Sequence, residues 1–238
     1  MPQTYTPFPP SAWKADVFAL VEQETYAITQ TWARLVTLAP PPPDSAGDCD
    51  RVVEAMALCD EQRLQLIKSQ SGDWTNVVAP LVQLLPGANE PGVKWAKDWT
   101  NLSLMLHVAL SDLQCGLYMF KAYFMRGRPY QERSSIVPVL DLPPHPAYPG
   151  GHAAQARTAA LLLGALFTGD RDNAQLRDDL IKAADEVALN RVIAGIHYPT
   201  DSDAGRELAD QFVPLLMANP LFRELMDAAI QDLEKALR

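Results

Sequence analysis

Cysteine is scarce in this 238-residue chain, and the three present (Cys49, Cys59 and Cys115) are odd in number and lack metal-ligand spacing. A disulfide framework is therefore excluded as the organising principle. Only four histidines occur, without paired cysteines, which argues against a structural zinc site. Basic charge is also in deficit. The formal net charge is −9, which argues against a nucleic-acid surface and against an anionic membrane, while still permitting a local cationic pocket for a small anion. No uninterrupted apolar run reaches the roughly 18 residues of a spanning helix, because His107, Asp112 and Gln114 break up Leu102–Phe124. The first ten residues have neither a basic n-region nor an apolar h-region, so the expected location is cytoplasmic as the sequence reads, or periplasmic if a signal has been removed. Alternating β patterns are missing throughout.

What the chain does have is helical periodicity punctuated by proline. At 48% hydrophobic residues it can bury a substantial core, and it is read as one all-α domain over 1–238, with 1–37 as an N-terminal helix extension. Ser11 can cap a first helix running to about Leu38, which Pro40–Pro43 end. Further helices are expected over about Asp48–Ser69 and, interrupted by Pro80, Trp74–Leu85. Pro91 suits a first turn, from which the pattern runs to about Phe124. Leu102, Leu106, Leu110, Leu113, Leu117 and Phe124 form one stripe there, and Leu104, Val108, Cys115 and Met119 fill much of the other side. That pattern predicts a buried central helix with His107 as a satisfied core histidine. Arg126–Gly151, with six prolines, reads as a long ordered loop. His152–Phe167, Asp172–Ile196, a helix beginning at Thr200, and one from Asn219-Pro220 to about Leu237 complete the chain.

Three stretches place charge where the structure should be buried or constrained. In Asn190–Asp201 the stripe of Leu176, Leu180, Ala184 and Val187 continues onto Arg191, so the guanidinium should face inward, where it must be paired or bind an anion. His197 lies at the helix end, and Asp201 beyond Pro199 is near enough to turn back onto the imidazole. Lys121, Arg126 and Arg128 surround the end of the buried helix, more cations than a helix dipole requires, and arginine forks match phosphate. Pro149-Gly150-Gly151-His152 opens a helix, where backbone N–H groups can cradle an anion. Cations, a glycine turn and two imidazoles are a set able to transfer a phosphoryl group without a metal. One imidazole attacks phosphorus and the other protonates the leaving oxygen.

The order Lys121-x6-Arg128-Pro129, Pro149-x-Gly151-His152 and Arg191-x5-His197-x3-Asp201 resembles the signature of the type-2 phosphatidic acid phosphatase superfamily. That superfamily includes class A bacterial acid phosphatases and vanadium haloperoxidases. Leu38-Ala-Pro-Pro-Pro-Pro, Arg126-Gly-Arg-Pro-Tyr and Asn219-Pro-Leu-Phe are similar to the class A branch, so the resemblance spans roughly Leu38 to the C-terminus. It implies an all-α helical bundle that hydrolyses small phosphomonoesters through a phosphohistidine. His197 would be the nucleophile, Asp201 its orienting partner and His152 the general acid and then base. Lys121, Arg128, Arg191, Gly150 and Gly151 would bind the phosphate. No cofactor is implied, with vanadate acting as an inhibitor and phosphate mimic. Homodimers are common in the family. Two departures stand out: the family's serine before Gly-His is Gly150 here, and the serine before the arginine is Asn190. Glycine at 150 removes one hydroxyl donor, a loss of about 3 kcal/mol of transition-state stabilisation. The alternatives are a vanadium-dependent haloperoxidase using the same residues, and a phosphate-binding protein without catalysis.

Overall fold

The structure, a computed structural model, describes residues 6–14, 25–28 and 31–236. These form ten α-helices and no strands, with one isolated antiparallel bridge between Pro7 and Arg126. The helices are α1 (Ala46–Met56), α2 (Glu61–Ser69), α3 (Trp74–Val82), α4 (Trp95–Asp98), α5 (Thr100–Phe124), α6 (Pro129–Glu132), α7 (Gly151–Ala165), α8 (Ala174–Ile193), α9 (Pro199–Ala218) and α10 (Pro220–Ala236).

Several boundaries differ from the periodicity. The helix expected from Ser11 to Leu38 lies partly outside the described residues; those described show 3-10 turns at Pro10–Ala12 and Trp32–Arg34 instead. The helix expected over Asp48–Ser69 is two helices, because the Asp60 carboxylate caps the second by accepting from the Arg63 amide at 2.7 Å. Asp73 caps α3 in the same way through the Thr75 amide, 2.8 Å away. That helix runs through Pro80, where burial of Val77, Val78, Leu81 and Val82 outweighs one lost hydrogen bond. Pro91 precedes α4 instead of opening a helix, and the Arg126–Gly151 loop contains the single turn α6.

The central helix is α7, and not α5 as the leucine stripes suggest. It packs against α3, α5, α8 and α9, because Ala153, Ala154, Ala156, Ala159 and Ala160 let neighbours approach on every side. By contrast α5 leaves Leu104 (47%) and Tyr123 (77%) exposed. His107 sits on that exposed face, its ring tilted against Trp74 with 5.8 Å between ring centres, and is not a core histidine. Among the described residues α5 alone is long and apolar enough to cross a membrane, yet here its other faces pack against α7 and α10. Its interior charge, Asp112, is buried and accepts the amides of Tyr26, Ala27 and Ile28.

Two features bring the three charged stretches together. First, α5 ends with Met125 in the left-handed region (φ 52°), and the chain then runs beside the N-terminal segment. Phe8 donates to the Met125 carbonyl (2.5 Å) and Gly127 to the Thr6 carbonyl (2.6 Å). Second, α9 crosses the start of α7 backbone to backbone. The Gly150 amide donates to the Asp201 carbonyl at 2.7 Å, and a Cβ on Gly205 would come within 2.3 Å of the Gly150 oxygen.

Candidate active site

A cavity of about 330 Å³ opens where the ends of α5, α7 and α8 meet. Lys121, Arg128, Gly151, His152 and His197 line it, so five of the residues singled out by sequence converge. Asp201 and Gly150 lie behind this wall, and Arg191 is tied to the end of α2. A groove of about 1120 Å³ between α1, α8 and α9 is larger and shares no residue with this cavity. Its arginines are already paired, as Arg157 with Asp210 and Arg206 with Asp203, and it contains no imidazole.

His197 is oriented from behind. Its Nδ1 lies 3.1 Å from Asp201 Oδ2, and its Nε2 lies 3.3 Å from Arg128 NH1. A guanidinium has no lone pair, so Nε2 must accept and Nδ1 must carry the proton donated to Asp201. The basic nitrogen therefore faces the cavity. Burial, reinforced by Arg128, pushes the His197 pKa down to about 3.

Asp201 has a second, stronger partner. Arg126 NH1 donates to its Oδ1 at 2.6 Å, while NH2 reaches Asp48 Oδ2 at 3.0 Å. The guanidinium stacks over Tyr198, 3.9 Å from the ring centre, and Thr200 bridges Arg126 and Asp48. Burial alone would raise the Asp201 pKa, but Arg126 first, with His197 and the Tyr198 amide, brings it down to about 2. Arg126, counted from sequence among the cations of an anion site, is instead the counter-ion of the orienting carboxylate. Asp48 was missed altogether, because its partner lies 78 residues away.

The cations are held by carbonyl oxygens. Lys121 Nζ donates to Pro146, Ala147 and Pro149 at 2.7–3.0 Å, using the three donors of an ammonium. Burial, and then Arg128, push its pKa well below the ordinary lysine value. All five N–H groups of Arg128 are engaged, by the carbonyls of His145, Pro146 and Ile196 and by the imidazoles of His145 and His197. Arg191 donates to the Ile67 carbonyl (2.7 Å) and Ser71 Oγ (3.0 Å), and its Nε is buried with no partner among the described residues. Burial brings both arginines down to about 10. His152 Nε2 contacts the Gln70 carbonyl at 3.2 Å, so it carries the proton and Nδ1 is left as the basic nitrogen. Burial, and then Arg191, push the His152 pKa well below the ordinary value. Each basic group is thus biased towards neutrality, a bias that an anion in the cavity would reverse.

The two departures from the motif have structural explanations. Asn190 is buried; its amide donates to Gln70 Oε1 (2.8 Å) and its oxygen accepts from Arg63 (3.0 Å). It thereby braces the residue whose carbonyl holds His152. At Gly150 a Cβ would lie 2.9 Å from the Asp201 carbonyl oxygen and 3.1 Å from its carbon, so the serine seat is closed by backbone. Gly150→Ser is therefore expected to lower the thermal midpoint by several degrees and to reduce turnover, since overpacking costs about 1–3 kcal/mol. Calorimetry with parallel ester-hydrolysis assays checks this, and a fully stable, more active variant would contradict it.

Over 89 residues, 37% of this chain, the sequence is 33% identical to a non-specific acid phosphatase of Providencia stuartii. The match covers 34% of that relative, about a third of its length. No family model matches the chain. Among solved structures the fold is similar to a bacterial vanadium-dependent iodoperoxidase, with a TM-score of 0.66 and 17% identity over 92% of this chain and 60% of the other. It is also similar to a bacterial vanadium-dependent chloroperoxidase, with a TM-score of 0.61 and 14% identity over 92% of this chain and 55% of the other. The chain thus shares its helical fold with vanadium haloperoxidases and part of its sequence with an acid phosphatase, the two branches that its motifs resemble.

Proposed function

We propose that this chain hydrolyses small phosphomonoesters without a metal, through a phosphohistidine at His197. The observation that carries the reading is the tautomer of His197: a lone pair on Nε2 facing a cation-lined cavity, with Nδ1–H held by an ionised carboxylate. In the resting site the contact of Arg128 to that lone pair is a long one, 3.3 Å. A phosphoryl oxygen, carrying more charge, draws the N–H away and frees the nucleophile. The Nε2 lone pair then forms the N–P bond as the ester P–O bond breaks, and Asp201 stabilises the positive charge on the ring. The bound anion raises the proton affinity of His152, which protonates the leaving oxygen and afterwards takes a proton from the attacking water. Water forms the new P–O bond, the N–P bond breaks, and its electron pair returns to Nε2. Lys121, Arg128, Arg191 and the Gly151 amide stabilise the phosphoryl oxygens.

A haloperoxidase is the second reading, favoured by the folds of the solved structures. The donor set fits vanadate as it fits phosphate: His197 Nε2 would be its protein ligand, and the Nε of Arg191, behind the cavity wall and unpartnered among the described residues, would be a donor to one of its oxygens. Bound vanadate would supply a Lewis-acid centre for peroxide.

Rapid-quench labelling with a 32P-labelled monoester distinguishes the two. The expected result is a phosphoprotein stable to alkali and labile to acid, with turnover unaffected by chelator and inhibited by vanadate. Turnover without a phosphoenzyme, or loss of turnover in chelator, would overturn the phosphatase reading. Bromide oxidation by the vanadate-loaded protein with peroxide would favour the second.

A further inference from the structure

We infer that His145 is a third imidazole of the site, and that its Nε2–H donates a hydrogen bond to an oxygen of the bound oxyanion. The inference rests on the reading of the cavity as an oxyanion site. His145 lies in the proline-rich loop before α7, outside all three motifs, and it lines the same cavity as His152 and His197. Its Nδ1 is 3.1 Å from Arg128 NH2, on the opposite terminal nitrogen from the one facing His197. One guanidinium therefore bridges two imidazoles.

Arg128 can only donate, so the Nδ1 that pairs with it is the acceptor and the ring proton is on Nε2. Nδ1 is also 3.1 Å from the Pro146 carbonyl, a contact that calls for the opposite tautomer, and the 15N spectrum below distinguishes the two. Nε2 makes no hydrogen bond to any described residue, although the ring is half-buried. Tyr118 fixes the ring orientation by an edge contact, with centroids 5.3 Å apart at 78°.

The charged and titratable groups acting on His145 are Lys121, Arg128 and His197, and all of them disfavour its protonation. A neutral imidazole with a fixed, unused N–H beside Arg128 is a preorganised donor. It supplies what Gly150 cannot, since the Asp201 backbone closes the position where a serine hydroxyl would stand.

Two variants and one spectrum test the inference. His145→Phe keeps the ring and its contact with Tyr118 but removes both nitrogens, whereas His145→Gln keeps one donor and one acceptor. Vanadate affinity, measured by calorimetry, is expected to fall roughly tenfold or more in His145→Phe and by less in His145→Gln, as for a hydrogen bond to a charged group. In wild-type protein with 15N-labelled histidine, a protected downfield Nε2–H signal should appear on adding vanadate and be absent from His145→Phe. A merely structural role would not produce that signal. Wild-type vanadate affinity in folded His145→Phe, or no new imidazole N–H signal in wild type, would overturn the proposal. Failure of wild type to bind vanadate would reject the oxyanion site and the proposal with it. Vanadate binding without ester turnover would remove only the phosphatase reading, leaving His145 to be judged on affinity.

Discussion

Replacing His197 by alanine should abolish phosphomonoester turnover, by about 10⁴-fold or more, because the residue is asked to supply the nucleophile itself. Phosphate and vanadate should still bind, more weakly, since Lys121, Arg128, His152 and Arg191 remain. The fold should survive too, because Asp201 keeps Arg126 and the Tyr198 amide as partners. Steady-state assays with p-nitrophenyl phosphate, set beside vanadate calorimetry, separate loss of chemistry from loss of the site. Robust turnover in the variant would end the phosphohistidine reading. A related measurement concerns the free protein. With the His197 pKa near 3, its imidazole should remain neutral at pH 5, where an unperturbed histidine is mostly protonated. Histidine 15N shifts recorded between pH 3 and 7 check this directly, and the vanadate complex should show the pKa shifted upward.

Arg126→Gln is expected to have the largest effect on stability, roughly 3–5 kcal/mol, because it strands two buried carboxylates. Asp201 is fully buried and Asp48 nearly so, and Arg126 neutralises both while stacking on Tyr198. Lysine should recover only part of the loss, since a point charge cannot fork to two carboxylates and cover a ring together. The pH dependence has a definite sign. The Asp201 pKa in the folded protein, about 2, lies below the ordinary aspartate value, so its stabilising contribution is complete above about pH 4 and is lost as pH falls towards 2. Without Arg126 that depression weakens, and acid unfolding should begin at a higher pH. Urea titrations at pH 7 and at pH 4 measure both effects. A loss below about 1 kcal/mol would mean that water reaches the carboxylates and replaces the guanidinium.

Much of the site was legible because its chemistry is written in short spans. His197 and Asp201 are four residues apart, Arg191 extends an apolar stripe, and His152 opens a helix behind two glycines. Each of those relations follows from helical periodicity or from helix termini, which depend on neighbours in the sequence. His145 gave no such signal: a histidine among prolines says nothing about which arginine it will meet. Arg126 gave the wrong one, since a cation near two others looks like an anion ligand until its carboxylates are located.

The sequence by itself determined that the chain is helical, where most helices lie, and which three short motifs carry the cations and two of the imidazoles proposed to act on a phosphoryl group. Only the tertiary structure decided how those groups are used. Asp48 meets Arg126 across 78 residues, the alanines of α7 make it the centre in place of the leucine-rich α5, and α9 lies so close to Gly150 that no hydroxyl-bearing side chain fits. The physical reason is common to all three. Periodicity and capping are properties of adjacent residues, whereas charge pairing and the space left for a Cβ depend on which distant helices touch and how closely they pack.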